Sequence, residues 1–254
     1  MSKQLSVVII AMNEEENIGK CIRSVYAIAD EVVVVDSFSG DRTVEVAGQM
    51  GVRVVQHKFE GHIQQKNWAK EQAAKDWILS LDADETLSPE LLLAIAQWKK
   101  ENNATAQHYR INRLNFYCGK PVKTCGWYPD SKIRLWGKGT GEWRGTNPHD
   151  KFTPNDFREV TALMPGDILH DTYPNREAFL SQREKFATIS AQHLKNESIL
   201  FLLLKLLFSP PVKFIRTYFV ELGFTDGATG LFICYHLSRE VALKYSRAIK
   251  FKYA

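Results

Sequence analysis

Residues 77–85 read WILSLDADE, a short apolar run that ends in two carboxylates spaced two residues apart. An apolar run of this length predicts a buried strand. Because carboxylates are costly to bury, we expect Asp82 and Asp84 to emerge at the carboxyl edge of a sheet, where open α/β sheets bind ligands. Two oxygen ligands there suit Mg²⁺ or Mn²⁺ bridged to substrate phosphates. On spacing alone, Asp84 or Ser88 could equally cap a helix that begins near Pro89.

The segments around this stretch alternate strand and helix patterns over the first hundred residues. Three successive strand–helix–strand units predict a parallel sheet with right-handed crossovers. Residues 105–165 favour antiparallel strands and long loops, and residues 174–254 are mostly helical with a break at Pro210-Pro211. The predicted strands are 5–12, 31–36, 52–56 and 77–81, and the predicted helices are 15–28, 42–50, 66–75 and 87–100.

The composition is that of a globular protein, with 254 residues, 44% hydrophobic and 24% charged. This length suits one large α/β domain, alone or with an appendage. The net charge of +4 is too weak to indicate nucleic-acid binding. The four cysteines form no CxxC pair, and neither a signal-peptide pattern nor an 18-residue apolar run is present. We therefore expect a cytoplasmic protein with reduced thiols and no transmembrane helix.

Polar residues follow each of the four predicted strands. In a doubly wound sheet these strand ends converge on one crevice, although each cluster alone could be a turn or a helix cap. The first two clusters lack the glycine-rich pattern of a dinucleotide site or a P-loop. Carboxylates without such a loop suit a nucleobase and a ribose, while a metal takes the charge of a diphosphate. The clusters are 13–15, 36–43, 57–66 and 82–84.

Three motifs in these clusters resemble family 2 glycosyltransferases of the GT-A fold: VVIIAMNEE, VVVVDSFSGDRT and LSLDADET. Later motifs resemble the bacterial lipopolysaccharide-core β-glucosyltransferase branch. The resemblance implies an α/β fold, a GT-A type, Rossmann-like, mostly parallel sheet flanked by helices, with a helical C-terminal extension. It implies a catalytic domain over residues 1–172 and an extension over residues 173–254 that could associate with a membrane. The later motifs are residues 65–67, 129–130, 134–136, 149–150, 168–170 and 211–244.

The same resemblance assigns a donor site for the nucleotide sugar. Asn13 and Glu15 would line the nucleotide pocket, and Asp36 would read the uracil with Asp41 nearby. Asp82 would lean towards the ribose.

The metal assignment also rests on the resemblance. Asp84 would bind a divalent metal, Mn²⁺ or Mg²⁺, and His170 matches a late histidine that completes metal or diphosphate binding. A satisfied surface or core histidine is the alternative for His170.

An inverting transfer needs one base, which takes a proton from the acceptor hydroxyl as that oxygen attacks the anomeric carbon. Our candidate is Asp150, because His149-Asp150 stands where the branch shows His-Glu; Glu142 and Asp130 are the alternatives. Cationic side chains can stabilise the charge on the departing diphosphate. The candidates for that role are Lys66, Arg134 and Arg144.

The function that the resemblance implies is an inverting, metal-dependent transfer of a hexose. The donor would be a UDP-sugar, and the acceptor a lipopolysaccharide-core or other cell-envelope glycan linked to lipid. Residues 199–218 combine apolar and basic groups, so they could meet anionic lipid at the inner face of the membrane, or form a core helix that ends at the prolines. Four aromatic residues could face sugar rings, and we expect two of them to serve packing instead. They are Trp127, Tyr128, Trp136 and Trp143.

Two other functions compete with glycosyl transfer. A haloacid-dehalogenase-like phosphohydrolase would use Asp82 as a phosphorylated nucleophile and Asp84 as a general acid. Against it, Glu85 replaces the glycine usual in that motif, and three strand–helix units precede the motif. A non-catalytic nucleotide-sugar-binding module on the same fold is the second alternative.

Overall fold

The computed structural model describes residues 2–101, 106–147, 149–156, 158 and 160–252. By its internal contacts the chain divides into two compact units. The first comprises Met1–Leu114 and Asp130–His170, and the second comprises Asn115–Pro129 and Asp171–Ala254. The limits that the resemblance implies, 1–172 and 173–254, remain a prediction about functional domains.

The first unit begins with the predicted alternation of strands and helices. The four strands pair in parallel in the order β3-β2-β1-β4, and Val7 of β1 lies opposite Val32 of β2 and Leu79 of β4. The elements are β1 (Leu5–Ala11), α1 (Ile18–Val25), β2 (Glu31–Asp36), α2 (Thr43–Gln49), β3 (Arg53–Gln56), α3 (His62–Glu71) and β4 (Trp77–Asp82).

The sheet continues beyond β4 with antiparallel strands, as the sequence of residues 105–165 predicts. Its full order is β3-β2-β1-β4-β8-β6-β11-β5, so the α/β fold is confirmed with a parallel half and an antiparallel half. The strands β9 and β10 form a separate antiparallel hairpin. The added elements are β5 (Glu85–Leu87), α4 (Pro89–Lys100), β6 (His108–Tyr117), β7 (Lys120–Pro121), β8 (Asp130–Gly137), β9 (Gly141–Thr146), β10 (His149–Pro154) and β11 (Thr161–Tyr173).

Both faces of the parallel strands are covered. Val7 and Ile9 of β1 belong to a core cluster that includes residues of α1, α2 and α4, whereas Val8 faces a second cluster with Ala69 of α3. A strand that is buried on both faces favours apolar residues at successive positions, which explains the apolar run Val7–Ala11 of β1. The polar residues that follow the parallel strands lie at the carboxyl edge of the sheet.

The second unit is mainly helical. It contains α5 (Arg176–Gln192), α6 (Ile199–Ile215) and α7 (Gly227–Lys250), with a π-helical turn at Arg216–Val220 and a 3-10 turn at Gly223–Asp226. Its core joins Tyr117 and Val122 to Phe179 of α5 and Ile233 of α7. Among the described residues, no helix has both the length and the apolar character needed to cross a membrane.

The predicted helix break at Pro210-Pro211 is wrong, because α6 continues through both prolines to Ile215. Each proline removes one backbone hydrogen bond from the helix. Contacts with α7 extend along α6, and Ser238 of α7 donates a hydrogen bond of 2.7 Å to the carbonyl oxygen of Pro210. We attribute the continuous helix to this packing, which holds the chain on both sides of the prolines.

Candidate active site

The loops that follow β1 and β2 are hydrogen-bonded to each other. The backbone N–H of Asn13 donates to Ser39 Oγ at 2.8 Å, and the backbone N–H of Gly40 donates to Asn13 Oδ1 at 2.8 Å. The Glu15 N–H donates to Asp41 Oδ2 at 3.1 Å. The predicted nucleotide residues Asn13, Glu15 and Asp41 thus form one rim at the carboxyl edge of β1 and β2.

Asp36, the predicted reader of the base, ends β2 and is fully buried. Its Oδ2 accepts hydrogen bonds from the Ser39 N–H at 3.0 Å and from Gln56 Nε2 at 3.1 Å, and its Oδ1 accepts from the Ser39 hydroxyl. Both oxygens therefore already have partners within the protein. A carboxylate oxygen can accept a second hydrogen bond, but this side chain is covered, and the role of Asp36 stays a prediction.

Asp82 ends β4 between two buried cations. Lys66 Nζ, on α3, lies 3.1 Å from Asp82 Oδ1, and Arg134 Nη2, on β8, lies 3.5 Å from Asp82 Oδ2. Burial alone would raise the pKa of the Asp82 carboxyl, but the charges of Lys66 and Arg134 hold that pKa far below its ordinary value. Asp82 is thus ionised at neutral pH, and two of the three candidate cations, Lys66 and Arg134, lie beside it, whereas Arg144 pairs with Glu142.

Glu85 is a site residue that our sequence reasoning did not assign. Its side chain is fully buried, and its Oε1 lies 2.7 Å from Arg134 Nη2 and 3.6 Å from Arg113 Nη1. Its Oε2 accepts the Asp82 N–H at 2.9 Å, which closes the turn that carries both aspartates. An ionised carboxylate needs such partners when it is buried. The acidic residue directly after the DxD motif was the available signal, but nothing in the sequence links it to an arginine 49 residues away.

Asp84 and His170, the predicted metal residues, face each other. His170 Nε2 lies 3.0 Å from Asp84 Oδ2, because the pairing of β11 with β5 sets the backbone of His170 opposite that of Glu85. Among the described residues, no group of three or more His, Cys, Asp or Glu is arranged to hold a metal ion. One carboxylate and one imidazole nevertheless fit a metal that takes its remaining ligands from substrate phosphates and water.

Asp150, the candidate base, lies on β10, and its Oδ2 accepts a hydrogen bond of 2.9 Å from Lys66 Nζ. The β9–β10 hairpin that carries Asp150 is fixed to α3 by Asn67. The Asn67 side chain donates to the Trp143 carbonyl oxygen at 2.8 Å and accepts from the Trp143 N–H at 2.9 Å. Helix α3 therefore supplies both the lysine that contacts Asp150 and the amide that positions its strand.

The two alternative bases have cationic partners of their own. Asp130 Oδ2 lies 2.7 Å from Arg113 Nη2. Burial alone would raise the pKa of the Asp130 carboxyl, but the charges of Arg113 and Lys132 outweigh burial and hold that pKa below its ordinary value. Glu142 pairs with Arg144 at 2.6 Å, and both side chains are exposed. Of these three acids, Asp150 is the one that shares a partner with Asp82.

Two of the four candidate aromatic residues serve packing. Trp136 and Trp143 are buried, and Trp136 stacks on Phe152 with ring centroids 4.0 Å apart. Lys66 Nζ lies 4.7 Å from the centroid of the Trp143 ring, so Trp143 also supports the lysine. In the second unit, Trp127 is half-buried and packs near Tyr173.

Residues 6–159 match the model of the family described as glycosyl transferase family 2. The match covers more than half of the 254 residues. The chain belongs to glycosyl transferase family 2. It is therefore a glycosyltransferase, and the phosphohydrolase alternative is wrong, because the aspartate motif lies within a glycosyltransferase domain.

Relatives of similar length carry glycosyltransferase names. An uncharacterized glycosyltransferase of Rickettsia typhi is 31% identical over 236 residues, which cover 90% of this chain and 80% of that protein. The lipopolysaccharide core biosynthesis glycosyltransferase LpsC of Rhizobium meliloti is 28% identical over 254 residues, with 89% and 87% of the two chains covered.

A solved structure with limited similarity is glucosyl-3-phosphoglycerate synthase of Mycobacterium tuberculosis, crystallised with Mn²⁺, UDP and glucosyl-3-phosphoglycerate. It is 24% identical to this chain, with a TM-score of 0.37, and the match covers 45% of this chain and 44% of that one.

Proposed function

We propose that this family 2 glycosyltransferase moves a hexose from a UDP-sugar, with inversion and with a divalent metal, to a lipid-linked lipopolysaccharide-core or other cell-envelope glycan. The contact of one ammonium group with two carboxylates carries the proposal: Lys66 Nζ lies 3.1 Å from Asp82 and 2.9 Å from Asp150. A donor-side carboxylate and a candidate base are thereby held within reach of one substrate. The name of the LpsC relative supports the class of acceptor.

The acid–base chemistry falls to Asp150. Lys66 donates to Asp150 Oδ2 and fixes the carboxylate, and we assign Oδ1 to the acceptor hydroxyl. That oxygen takes the hydroxyl proton as the acceptor oxygen bonds to the anomeric carbon, and the bond from that carbon to the diphosphate breaks with its electron pair on the diphosphate.

Donor binding falls to the rim of Asn13, Glu15 and Asp41, to Asp36 and to Asp82 at the end of β4. Arg134 and Lys66 place positive charge near the departing diphosphate. Asp84 and His170 would hold the divalent metal, which when bound supplies further positive charge to the leaving group.

Calorimetry tests the donor site. We expect saturable UDP binding that strengthens with Mn²⁺ or Mg²⁺ and that weakens by about tenfold or more in Asp84→Ala, because a metal ligand is lost. Asp76→Ala is the matched control, since Asp76 is exposed just before β4, at the opposite end of that strand. Absence of UDP binding with either metal would refute the donor assignment. If UDP binds, a panel of nucleotide sugars identifies the hexose.

A further inference from the structure

Helix α6 is strongly apolar, yet it buries only one residue. Its first ten residues read ILFLLLKLLF, and among residues 199–215 only Leu202 is buried. Leu200, Leu207 and Val212 keep 69%, 65% and 61% of their surface exposed. The wide apolar side of such a helix is normally covered by protein or by lipid. Some other surface must therefore cover the outer side of α6.

Most of the exposed apolar residues of α6 form a stripe along the helix. From Leu200 onward they follow the i, i+3, i+4 and i+7 spacing of one helix face. The other face is occupied, because Leu202 packs with Ala191 and Ala248, and Pro210 accepts the hydrogen bond from Ser238. The stripe cannot turn inward without breaking those contacts. Its members are Leu200, Leu203, Leu204, Leu207, Phe208, Val212 and Ile215.

The apolar surface extends past the end of α6. Phe219, Val220, Leu222 and Phe224 follow in the next turns, and all four are exposed. Leu222 has a φ of 56°, in the left-handed region that a bulky residue rarely adopts. Exposed apolar side chains in this number along one stretch of chain mark an interaction site, because ordinary exposed apolar residues are scattered singly.

The charges in this surface are mostly positive. Residues 199–224 contain Lys205, Lys213 and Arg216 and one acidic residue, Glu221. Lys205 is exposed, with its Nζ 5.5 Å from the centroid of the Phe201 ring. Arg216 is exposed at the end of α6 and pairs with Glu221 at 2.8 Å. Cations interspersed with exposed leucine and phenylalanine complement a layer with anionic groups above an apolar interior.

A second copy of the chain is a poorer partner for this surface. Two copies in contact would bring the same three cations against each other, and like charges oppose association. An anionic bilayer offers phosphate groups to the cations and, directly beneath them, acyl chains to the apolar side chains.

We propose that residues 199–224 are a membrane-docking surface, on which α6 lies along the bilayer with its exposed leucine and phenylalanine side chains in the acyl boundary. Lys205, Lys213 and Arg216 contact the phosphates of anionic lipids. The proposal rests on the surface of the second unit alone and is independent of donor, metal and acceptor. It therefore stands or falls separately from the proposed function.

Co-sedimentation of the full chain with lipid vesicles tests the proposal. We expect binding to equimolar phosphatidylcholine–phosphatidylglycerol vesicles, weaker binding to phosphatidylcholine alone, and weakening of the former by salt. The double variant Leu203→Glu/Leu207→Glu should lower the vesicle-bound fraction by about tenfold or more, because two buried carboxylates oppose insertion. Because both leucines are exposed, we expect this variant to keep its fold, and thermal unfolding checks this.

Leu93→Glu is the matched control, because Leu93 is a leucine on α4 of the first unit with 73% of its surface exposed. This variant should bind vesicles as the wild type does. Lys205→Gln should weaken binding to the anionic vesicles, whereas Arg158→Gln should not. Wild type that remains in the supernatant with anionic vesicles at low salt overturns the proposal. Equal losses of vesicle binding in Leu93→Glu and in the double variant also overturn it. So does a wild-type chain that binds no vesicles but forms a dimer, if the double variant dissociates that dimer.

Discussion

At the carboxyl edge of β4, one side chain contacts carboxylates from distant parts of the chain. Lys66 lies between Asp82, sixteen residues later, and Asp150, eighty-four residues later. Its exposure is only 5%, so its charge is little screened by water. Loss of this ammonium group would leave two carboxylates near each other without their shared partner. Lys66 therefore fixes the geometry of the site as well as its charge.

Asp150→Asn separates the role of a base from that of a binding residue. The amide keeps the size of the side chain and a hydrogen-bond acceptor for Lys66, so we expect UDP binding to change little. Transfer should fall by about 100-fold to 10,000-fold, the usual contribution of a general base. Initial rates of sugar transfer and calorimetry with UDP measure the two effects.

Glu142→Gln is the comparison variant for Asp150→Asn, since Glu142 lies on the same hairpin and pairs with Arg144. It should transfer sugar at nearly the wild-type rate. Turnover near normal in Asp150→Asn would instead move the role of the base to Glu142 or Asp130.

Among the elements of the second unit, α7 and the turn before it approach each other closely at two glycines. A Cβ atom on Gly230 would lie 1.8 Å from the carbonyl oxygen of Gly223. Backbone atoms cannot move aside as a flexible side chain can. The start of α7 therefore requires a residue without a side chain at position 230.

Gly230→Ala should lower the free energy of unfolding by about 3 kcal/mol, since the helix must shift to make room for the methyl group. Gly48→Ala on α2 is the matched control, because a Cβ there meets nothing within 4 Å. It should stabilise the protein by up to about 1 kcal/mol, the helix preference of alanine over glycine. Urea unfolding curves measure both changes, and equal stability of the two variants would contradict the close approach.

Over the whole molecule, arginines hold carboxylates ionised in both units. Arg113 does so for Asp130, and in the second unit Arg247 and Arg239 bond to Glu184. The hydrogen bond from Arg247 lowers the pKa of Glu184 below its ordinary value. A carboxyl whose pKa is lower in the folded state contributes stability above the unfolded pKa, and this contribution is lost as pH falls.

Glu184→Gln should therefore cost about 0.5–1 kcal/mol of unfolding free energy at neutral pH, a small value because solvent screens this half-exposed pair. Below about pH 4, the ordinary range for glutamate, the difference from wild type should shrink towards zero. Urea unfolding at neutral and acidic pH measures it. Glu16→Gln, at an exposed glutamate, should change stability little at either pH. If the difference in unfolding free energy between Glu184→Gln and wild type persists in acid, the ionised carboxylate is not its cause.

The sequence alone determined the order of the first elements and the positions of the acidic clusters. Apolar runs and helical spacing are local properties, and parallel strands place their carboxyl ends at one edge, so the alternation in the first hundred residues was predictable. Asp84 and His170 were paired from a resemblance between motifs, and the strand register brings them to 3.0 Å.

Only the tertiary structure decided which partners these residues have. Glu85 between two arginines, Lys66 between two carboxylates and the continuous α6 all depend on contacts between segments far apart in the chain, and sequence periodicity carries no information about such contacts. The same holds for the exposed apolar side of α6, because a strongly apolar pattern predicts burial but does not state which surface covers the helix. Packing of one face against α7 leaves the other face for a different surface.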